Sequence, residues 1–316
     1  MTIYEPSLIL DGMSSSNGSA GRLSLYLILV LVISAFTLAV LILPYDTVYV
    51  QDRAYLDWFL AVMIVCFAVF VLGTVSNALV WMRGKGLVGT PESRLVRTVA
   101  RAMAVVFSRK IVRLTSVFLR EALYITKLRE LSMLRWFAHF MILGGFLLMF
   151  ALDIFVTLSL DIFGWEAMIS EDGWAKLLVR DFAFEIAGLM MLVGLAMALT
   201  RRFVVRSKQL STEGADVASL VFLFLIVVGG FVLEGMGMVG SISGHEGNEP
   251  YSFVGYAFSL VMPGSAGDYY DQAWLVHAVM SALLIAFIPF SKLFHMLVTP
   301  VVIQLEMLLG QEADAR

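Results

Sequence analysis

The stretch VHAVMSALLIAFIPFSKLFHMLVTP (276–300) decides the fold, because it is a long apolar segment that contains two histidines eighteen residues apart. Eighteen residues make about five helical turns, so His277 and His295 are predicted on one face of one helix, about 27 Å apart. That distance is close to the thickness of a bilayer core. A third histidine, His139, lies near the start of another apolar segment. Ionisable groups inside lipid are costly and usually functional, so these histidines suggest haem iron in a helical bundle.

The composition is that of a membrane protein. The 316 residues are 60% hydrophobic and only 15% charged, with a mean hydropathy of +0.88. A water-soluble protein of this size does not need so much apolar surface, so we predict an all-α, polytopic transmembrane bundle. The single cysteine, Cys66, excludes a four-cysteine iron–sulfur site and a disulfide framework within this chain. Nothing in the sequence indicates binding to nucleic acid.

Six apolar windows are each long enough to cross a bilayer. They cover residues 23–43, 57–82, 134–158, 177–200, 217–241 and 273–298. The first window is long enough to span rather than to be cleaved, and residues 1–20 are rich in Ser and Gly and nearly uncharged, so no removable signal peptide is predicted.

The connections between the windows alternate in charge. Twelve Lys and Arg residues lie between Arg83 and Arg135, and four more lie between Arg201 and Lys208. The connections 44–56, 159–176 and 242–272 carry only Arg53 and Lys176 as basic residues, against ten acidic ones. Positively charged connections remain in the cytoplasm, so both termini are predicted to be cytoplasmic in a multi-pass protein of the cell membrane.

The long basic connection has a helical pattern of its own. After Pro91, the residues Arg94, Arg97 and Arg101 recur at helical spacing among apolar residues. This pattern predicts a basic amphipathic helix on the cytoplasmic face. It can be a plain membrane-surface helix that binds anionic lipid, a docking platform for a cytoplasmic partner, or both.

The predicted topology shows which histidines can meet. Segment three runs outward and segment six runs inward, so His139 and His295 lie at similar depth near the cytoplasmic face and could bind one iron. His277 lies near the outer face, where Met149 is a candidate partner because it lies ten residues, about 15 Å, beyond His139. The alternatives are histidines that are hydrogen-bonded in helix interfaces, an outer haem with another ligand, or no outer haem and a His277 that binds substrate. His245, in an acidic outer loop, is expected to be solvated.

Several small residues and one proline bear on how the helices pack. Glycine lets membrane helices approach closely, and it also clears room for a flat porphyrin. Pro289, six residues before His295, is predicted to kink segment six. The glycines with these two possible uses are Gly144, Gly145, Gly188, Gly194, Gly229 and Gly230.

Two stretches of the sequence resemble the cytochrome b membrane subunit of membrane-bound heterodisulfide reductase. They are RWFAHFMILGGFLLMFALDIF (135–155) and the stretch 276–300 quoted above. More distantly they resemble the γ subunit of respiratory nitrate reductase. ALTRRFVVRSKQ (198–209) and GGFVLEGM (229–236) are similar too, so the resemblance covers roughly residues 120–305.

The resemblance implies two b-type haems, one above the other, whose four ligands come from two helices. His139 and His295 match the inner haem and His277 matches one ligand of the outer haem. Met149 occupies the fourth position, a departure that the heterodisulfide reductase subunit shares. One or two haems b are therefore expected.

The same resemblance implies electron transfer between a lipid-soluble carrier and a cytoplasmic iron–sulfur subunit of the heterodisulfide reductase type. The carrier would be menaquinone, ubiquinone or methanophenazine. Near the predicted outer face, Glu185 is a candidate proton relay and Arg180 a candidate carrier-site residue; the alternative is that Glu185 is simply paired with Arg180. The competing interpretation is a haem-free transporter or scaffold whose histidines and carboxylates relay protons.

These expectations divide the chain into five parts. They are a cytoplasmic tail (1–22), two N-terminal spans (23–82), a basic amphipathic segment (83–133), a four-helix haem-binding cytochrome b domain (134–300) and a second cytoplasmic tail (301–316).

Overall fold

Long apolar runs form helices in this chain because a backbone surrounded by lipid must satisfy its hydrogen bonds within its own segment. The computed structural model describes residues 17–42, 53–83, 89–108, 115–116, 124, 126–165, 173–204, 214–242, 249–295 and 298. These ranges contain no strand, and six helices within them are long and apolar enough to cross a membrane. The prediction of an all-α protein with six spans is therefore confirmed.

Nine α-helices are numbered here along the described parts of the chain. They are α1 (Asn17–Ile42), α2 (Arg53–Trp81), α3 (Pro91–Val106), α4 (Thr126–Leu131), α5 (Met133–Thr157), α6 (Phe184–Phe203), α7 (Gly214–Val239), α8 (Phe253–Ser259) and α9 (Tyr270–Phe287). A π-helical turn, Leu158–Ile162, extends α5, and a longer π-helix, Lys176–Ala183, leads into α6. One 3₁₀ turn, Gly264–Tyr269, precedes α9, and two more, Ile288–Phe290 and Lys292–Phe294, follow it.

The sixth span differs from its prediction. Its helix ends at Phe287, and Ser291 is extended between the two short 3₁₀ turns that follow (φ −121°, ψ 169°). Proline lacks a backbone N–H and its ring clashes with the preceding turn, so Pro289 ends the α-helix rather than only bending it. The predicted disturbance at Pro289 is confirmed, although the helix ends there instead of kinking, and the prediction that His277 and His295 share one continuous helix is wrong.

Two sets of contacts hold the bundle together around the predicted site. Helices α5 and α6 are antiparallel and very close: a methyl group on Gly145 would lie 2.7 Å from the Ala187 carbonyl oxygen, and one on Gly194 would lie 2.9 Å from that of Ala138. A buried apolar cluster joins α6, α7 and α9. Its members are Met191, Leu195, Leu223, Ile226, Val227, Phe231 and Leu284.

The basic connection forms a helix where the sequence predicts one. α3 covers Pro91–Val106, and the guanidinium of Arg94 donates to the Met82 carbonyl oxygen at 2.6 Å. Leu95 is buried, whereas Val99 and Met103 are exposed. The membrane-surface position of α3 and the orientation of the termini stay predictions. The predicted tails 1–22 and 301–316 fall largely or wholly outside the described residues.

Candidate functional site

The imidazole rings of His139 on α5 and of His295 beyond α9 lie close together. Their ring centroids are 6.2 Å apart, and the planes are inclined by 32°. An imidazole nitrogen binds a metal at about 2.0 Å and lies about 1.2 Å from its ring centre, so two rings on opposite sides of one metal atom would have their centres about 6.4 Å apart. The observed separation agrees with this value. The pair therefore fits two axial ligands of one haem iron.

One ring nitrogen of His295, Nδ1, already makes a hydrogen bond within the protein. Nδ1 contacts the backbone carbonyl oxygen of Lys292, and because a carbonyl only accepts, Nδ1 is the nitrogen that donates. This leaves Nε2 as the nitrogen with a free lone pair. Metal-binding histidines usually donate their second ring nitrogen to a carbonyl or carboxylate in this way, which fixes the ring orientation and the tautomer.

Local structure sets the position of His139. The Ser132 side chain caps α5 by accepting from the Arg135 N–H, which fixes where this helix begins. Seven residues later, His139 follows Ala138, whose carbonyl lies against Gly194 of α6. The close approach at Gly194 therefore holds the turn of α5 that carries the imidazole.

His277 lies apart from that pair, on α9. A methyl group on Gly229 would be 3.3 Å from its Nδ1, and one on Gly230 would be 3.5 Å from its Cε1, so the ring packs against the backbone of α7. Met149 packs against the apolar cluster that includes Met191 and Phe231. Both residues remain ligand predictions, and His245 lies outside the described residues.

Gly145, Gly188 and Gly194 serve close packing. Added methyl groups there would lie 2.7–2.8 Å from atoms of the neighbouring helix. Gly229 and Gly230 instead leave room for the His277 ring, and Gly144 meets only the end of Met190, at 3.3 Å. The sequence left open whether these glycines allow close helix packing or make room for a porphyrin. Close helix packing accounts for three of them, Gly145, Gly188 and Gly194.

A buried charged cluster lies at the start of the fourth span. Lys176, Arg180, Asp181 and Glu185 are each at most 7% exposed, and Lys176 Nζ lies 3.5 Å from Asp181 Oδ2. In a π-helix, which bonds residue i to i+5, two side chains five apart lie above one another, and this explains the pair. The sequence assigned Lys176 to the preceding loop; it is the first residue of the span. The spacing of five residues between Lys176 and Asp181 predicts a contact only in a π-helix, and the sequence does not indicate one.

Glu185 contacts the connection between α7 and α9. Its carboxylate accepts hydrogen bonds from the backbone N–H groups of Val254 and Gly255, in the first turn of α8. It also contacts the carboxyl group of Glu234 on α7. The Glu234 side chain fits against Gly255, where an added methyl group would clash with its carboxylate. Glu234 and α8 thus surround Glu185. Apolar periodicity does not reveal this contact between the fourth span and the connection that follows α7.

The predicted site residues therefore fall into separate groups. His139 and His295 come together near the start of α5, and Arg180 and Glu185 lie with Glu234 near the start of α6. Within the described residues, no three or more His, Cys, Asp or Glu side chains converge on a common point as they would around a metal ion. Haem iron needs only two ligands from a protein, so a haem site would not require such a cluster.

Comparison with known proteins identifies the family. The sequence profile of the nitrate reductase gamma subunit matches residues 102–306, which is more than half of the chain. The chain belongs to the nitrate reductase gamma subunit family. It is accordingly a multi-pass membrane subunit of the electron-transfer type. The matched region contains His139, His277 and His295 but not α1 or α2.

The chain is also similar to curated subunits of one type of enzyme. The chain is similar to a subunit of the dihydromethanophenazine:CoB–CoM heterodisulfide reductase of Methanosarcina acetivorans, with 30% identity over 191 residues. It is 27% identical to the same subunit of the Methanosarcina mazei enzyme, also over 191 residues. The matches cover 59% of this chain and 64–65% of each relative, slightly less than two thirds of their length. No solved structure matches the chain.

Proposed function

We propose that this chain is a b-type cytochrome that passes electrons between a lipid-soluble carrier and a cytoplasmic iron–sulfur subunit of the heterodisulfide reductase type. The observation that carries the proposal is the separation of His139 and His295, since 6.2 Å between ring centroids fits one iron atom. The names of the curated relatives support the same function.

His139 and His295 would hold the haem, which supplies reversible one-electron transfer when it is bound. The protein contributes the positions of the ligands. The Lys292 carbonyl keeps the His295 ring in the tautomer that exposes Nε2, and the close contact of α5 with α6 holds His139 opposite it. His277 is proposed as a ligand of a second haem on the family resemblance, with Met149 as its candidate partner.

The carrier is proposed to be oxidised near Glu185. A quinol or a reduced phenazine gives up two protons together with two electrons, so its site needs proton acceptors in an apolar setting. The contacting carboxyl groups of Glu185 and Glu234 meet this need, and the neighbouring Arg180 would orient a polar carrier head group. Menaquinone, ubiquinone and methanophenazine all have this chemistry.

Replacing Glu185 with glutamine is expected to slow carrier oxidation at least about tenfold, because a positioned proton acceptor contributes about 10²–10⁴-fold to rate. The amide oxygen of the new side chain can still accept from Val254 and Gly255, so α8 keeps its place. Stopped-flow reduction of the cytochrome by a reduced carrier analogue measures the rate. Glu130→Gln, an exposed carboxylate on α4, is the control. Full activity of Glu185→Gln with an unchanged pH dependence would remove Glu185 from the mechanism.

The proposed orientation places both termini in the cytoplasm, as the basic connections predict. Lys292 and residues 83–133 then face the side on which the iron–sulfur partner binds. That partner is required because this chain has one cysteine, fewer than a cluster needs. Anionic membrane lipids are the other proposed contact of α3.

A difference spectrum of the purified chain, dithionite-reduced minus oxidised, tests the central claim. A b-type α-band is expected, and pyridine haemochrome analysis should give one or two haems b per polypeptide. A chain purified from haem-replete cells without such a band would contradict the proposal and favour the haem-free transporter or scaffold.

A further inference from the structure

We propose that α2, which lies outside the region matched to the family, positions the imidazole of His295. This inference rests on the proposed role of His295 as a haem ligand. It starts from the break in the sixth span, where the chain leaves the α-helix several residues before that histidine. A ligand carried beyond such a break needs support from a neighbouring element.

The supporting contacts come from one stripe of α2. Gly73, Asn77 and Trp81 are four residues apart, so they lie in a row on one helix face. A methyl group on Gly73 would lie 2.9 Å from Cβ of Pro289 and 2.7 Å from Cζ of Phe290. Only glycine at this position lets α2 approach the break so closely.

Asn77 compensates for the hydrogen bond that the broken helix loses. In a continuous α-helix the Pro289 carbonyl would accept from the N–H of Leu293, but that N–H donates to Ser291 Oγ at 3.2 Å. Nδ2 of Asn77 donates to the Pro289 carbonyl instead, at 2.6 Å. An unsatisfied carbonyl in an apolar bundle is costly, so this bond fixes the conformation of the break.

Trp81 fixes the other end of the same segment. Its ring packs against Phe294, the residue before His295, with centroids 5.6 Å apart. Phe294 is buried, whereas the His295 side chain is exposed. The segment 289–294 is therefore held by α2 at both ends, and the direction of the His295 ring follows from these two anchors.

Asn77→Leu and Trp81→Leu test this role, with Ser76→Ala as the matched control. Ser76 is the neighbour of Asn77, and its exposed hydroxyl donates to its own helix, to the Leu72 carbonyl. Each full-length variant is purified with its haem. Two readouts are taken: the midpoint potential of the haem bound by His295, and its low-spin electron paramagnetic resonance g values, which depend on the angle between the two imidazole planes.

Both leucine variants are expected to shift the g values and the midpoint potential, whereas Ser76→Ala should keep the wild-type values. The two variants act at opposite ends of the segment 289–294. If one of them fails to accumulate, the other alone still tests the role of α2. If His295→Ala loses the haem but both leucine variants keep wild-type g values and potential, the positioning role of α2 is overturned and the proposed function stands. If His295→Ala retains the wild-type haem signals, the proposed function itself fails.

Discussion

Replacing His295 with alanine is expected to remove one haem from each polypeptide and to abolish electron transfer through the chain. The variant keeps the Lys292 carbonyl and the contacts of Phe294 but lacks the imidazole whose centroid lies 6.2 Å from that of His139. His139→Ala should have the same result, because one axial ligand rarely holds a b-type haem as tightly as two. Pyridine haemochrome analysis measures the loss, and the low-temperature α-band shows which haem remains.

The matched control is His245→Ala, at the one histidine for which the sequence predicts a solvated role. It should retain the haem content of the wild type. His295→Gly prepared with imidazole in the buffer offers a further check, since a free imidazole can occupy the vacated position and restore the low-spin spectrum. Wild-type haem content in both His139→Ala and His295→Ala would contradict the paired-ligand interpretation.

The second large effect is expected at Gly145, where adding a single methyl group should destabilise the bundle. That carbon would lie 2.7 Å from both the Ala187 carbonyl oxygen and Cγ of Met191, so α5 and α6 would have to separate. Overpacking of this kind typically costs about 1–3 kcal/mol. Gly145→Ala should therefore lower the thermal midpoint of the detergent-solubilised protein, and the fraction of haem retained on heating should fall with it.

Gly144→Ala is an exacting control because it makes the same change one residue away. Its methyl group would contact only the terminal carbon of Met190, at 3.3 Å, and this flexible side chain can move aside. Its thermal midpoint should stay near that of the wild type. Equal midpoints for the two alanine variants would show that the close approach of α5 and α6 is not needed for stability.

The six spans and the histidine pair could be predicted from the sequence because both depend on simple physical rules. A backbone in lipid must form helices, and the alternation of basic and acidic connections implies antiparallel neighbours. Those two rules are enough to predict His139 and His295 at one depth. The ring separation of 6.2 Å needs the structure, since it depends on how far the chain turns after Pro289.

Other features of the site were not predictable from one sequence. A proline reveals that a helix is disturbed, but whether it bends or ends depends on the donors that neighbouring helices offer, such as Asn77. The pairing of Lys176 with Asp181 requires a π-helix, which apolar periodicity of 3.6 residues does not reveal. The contact of Glu185 with α8 joins residues 69 positions apart.

The packing of α2 against the sixth span has a practical consequence for how this polypeptide can be divided. Phe59, Val62 and Cys66 cover the side of α9 that carries Ala282 and Ala286, and Phe59 meets Trp274 edge-on at 5.5 Å. A fragment trimmed to the family-matched residues 102–306 would leave that side bare to lipid or detergent. The limits of sequence similarity are therefore a poor guide to where this protein can be cut and still assemble.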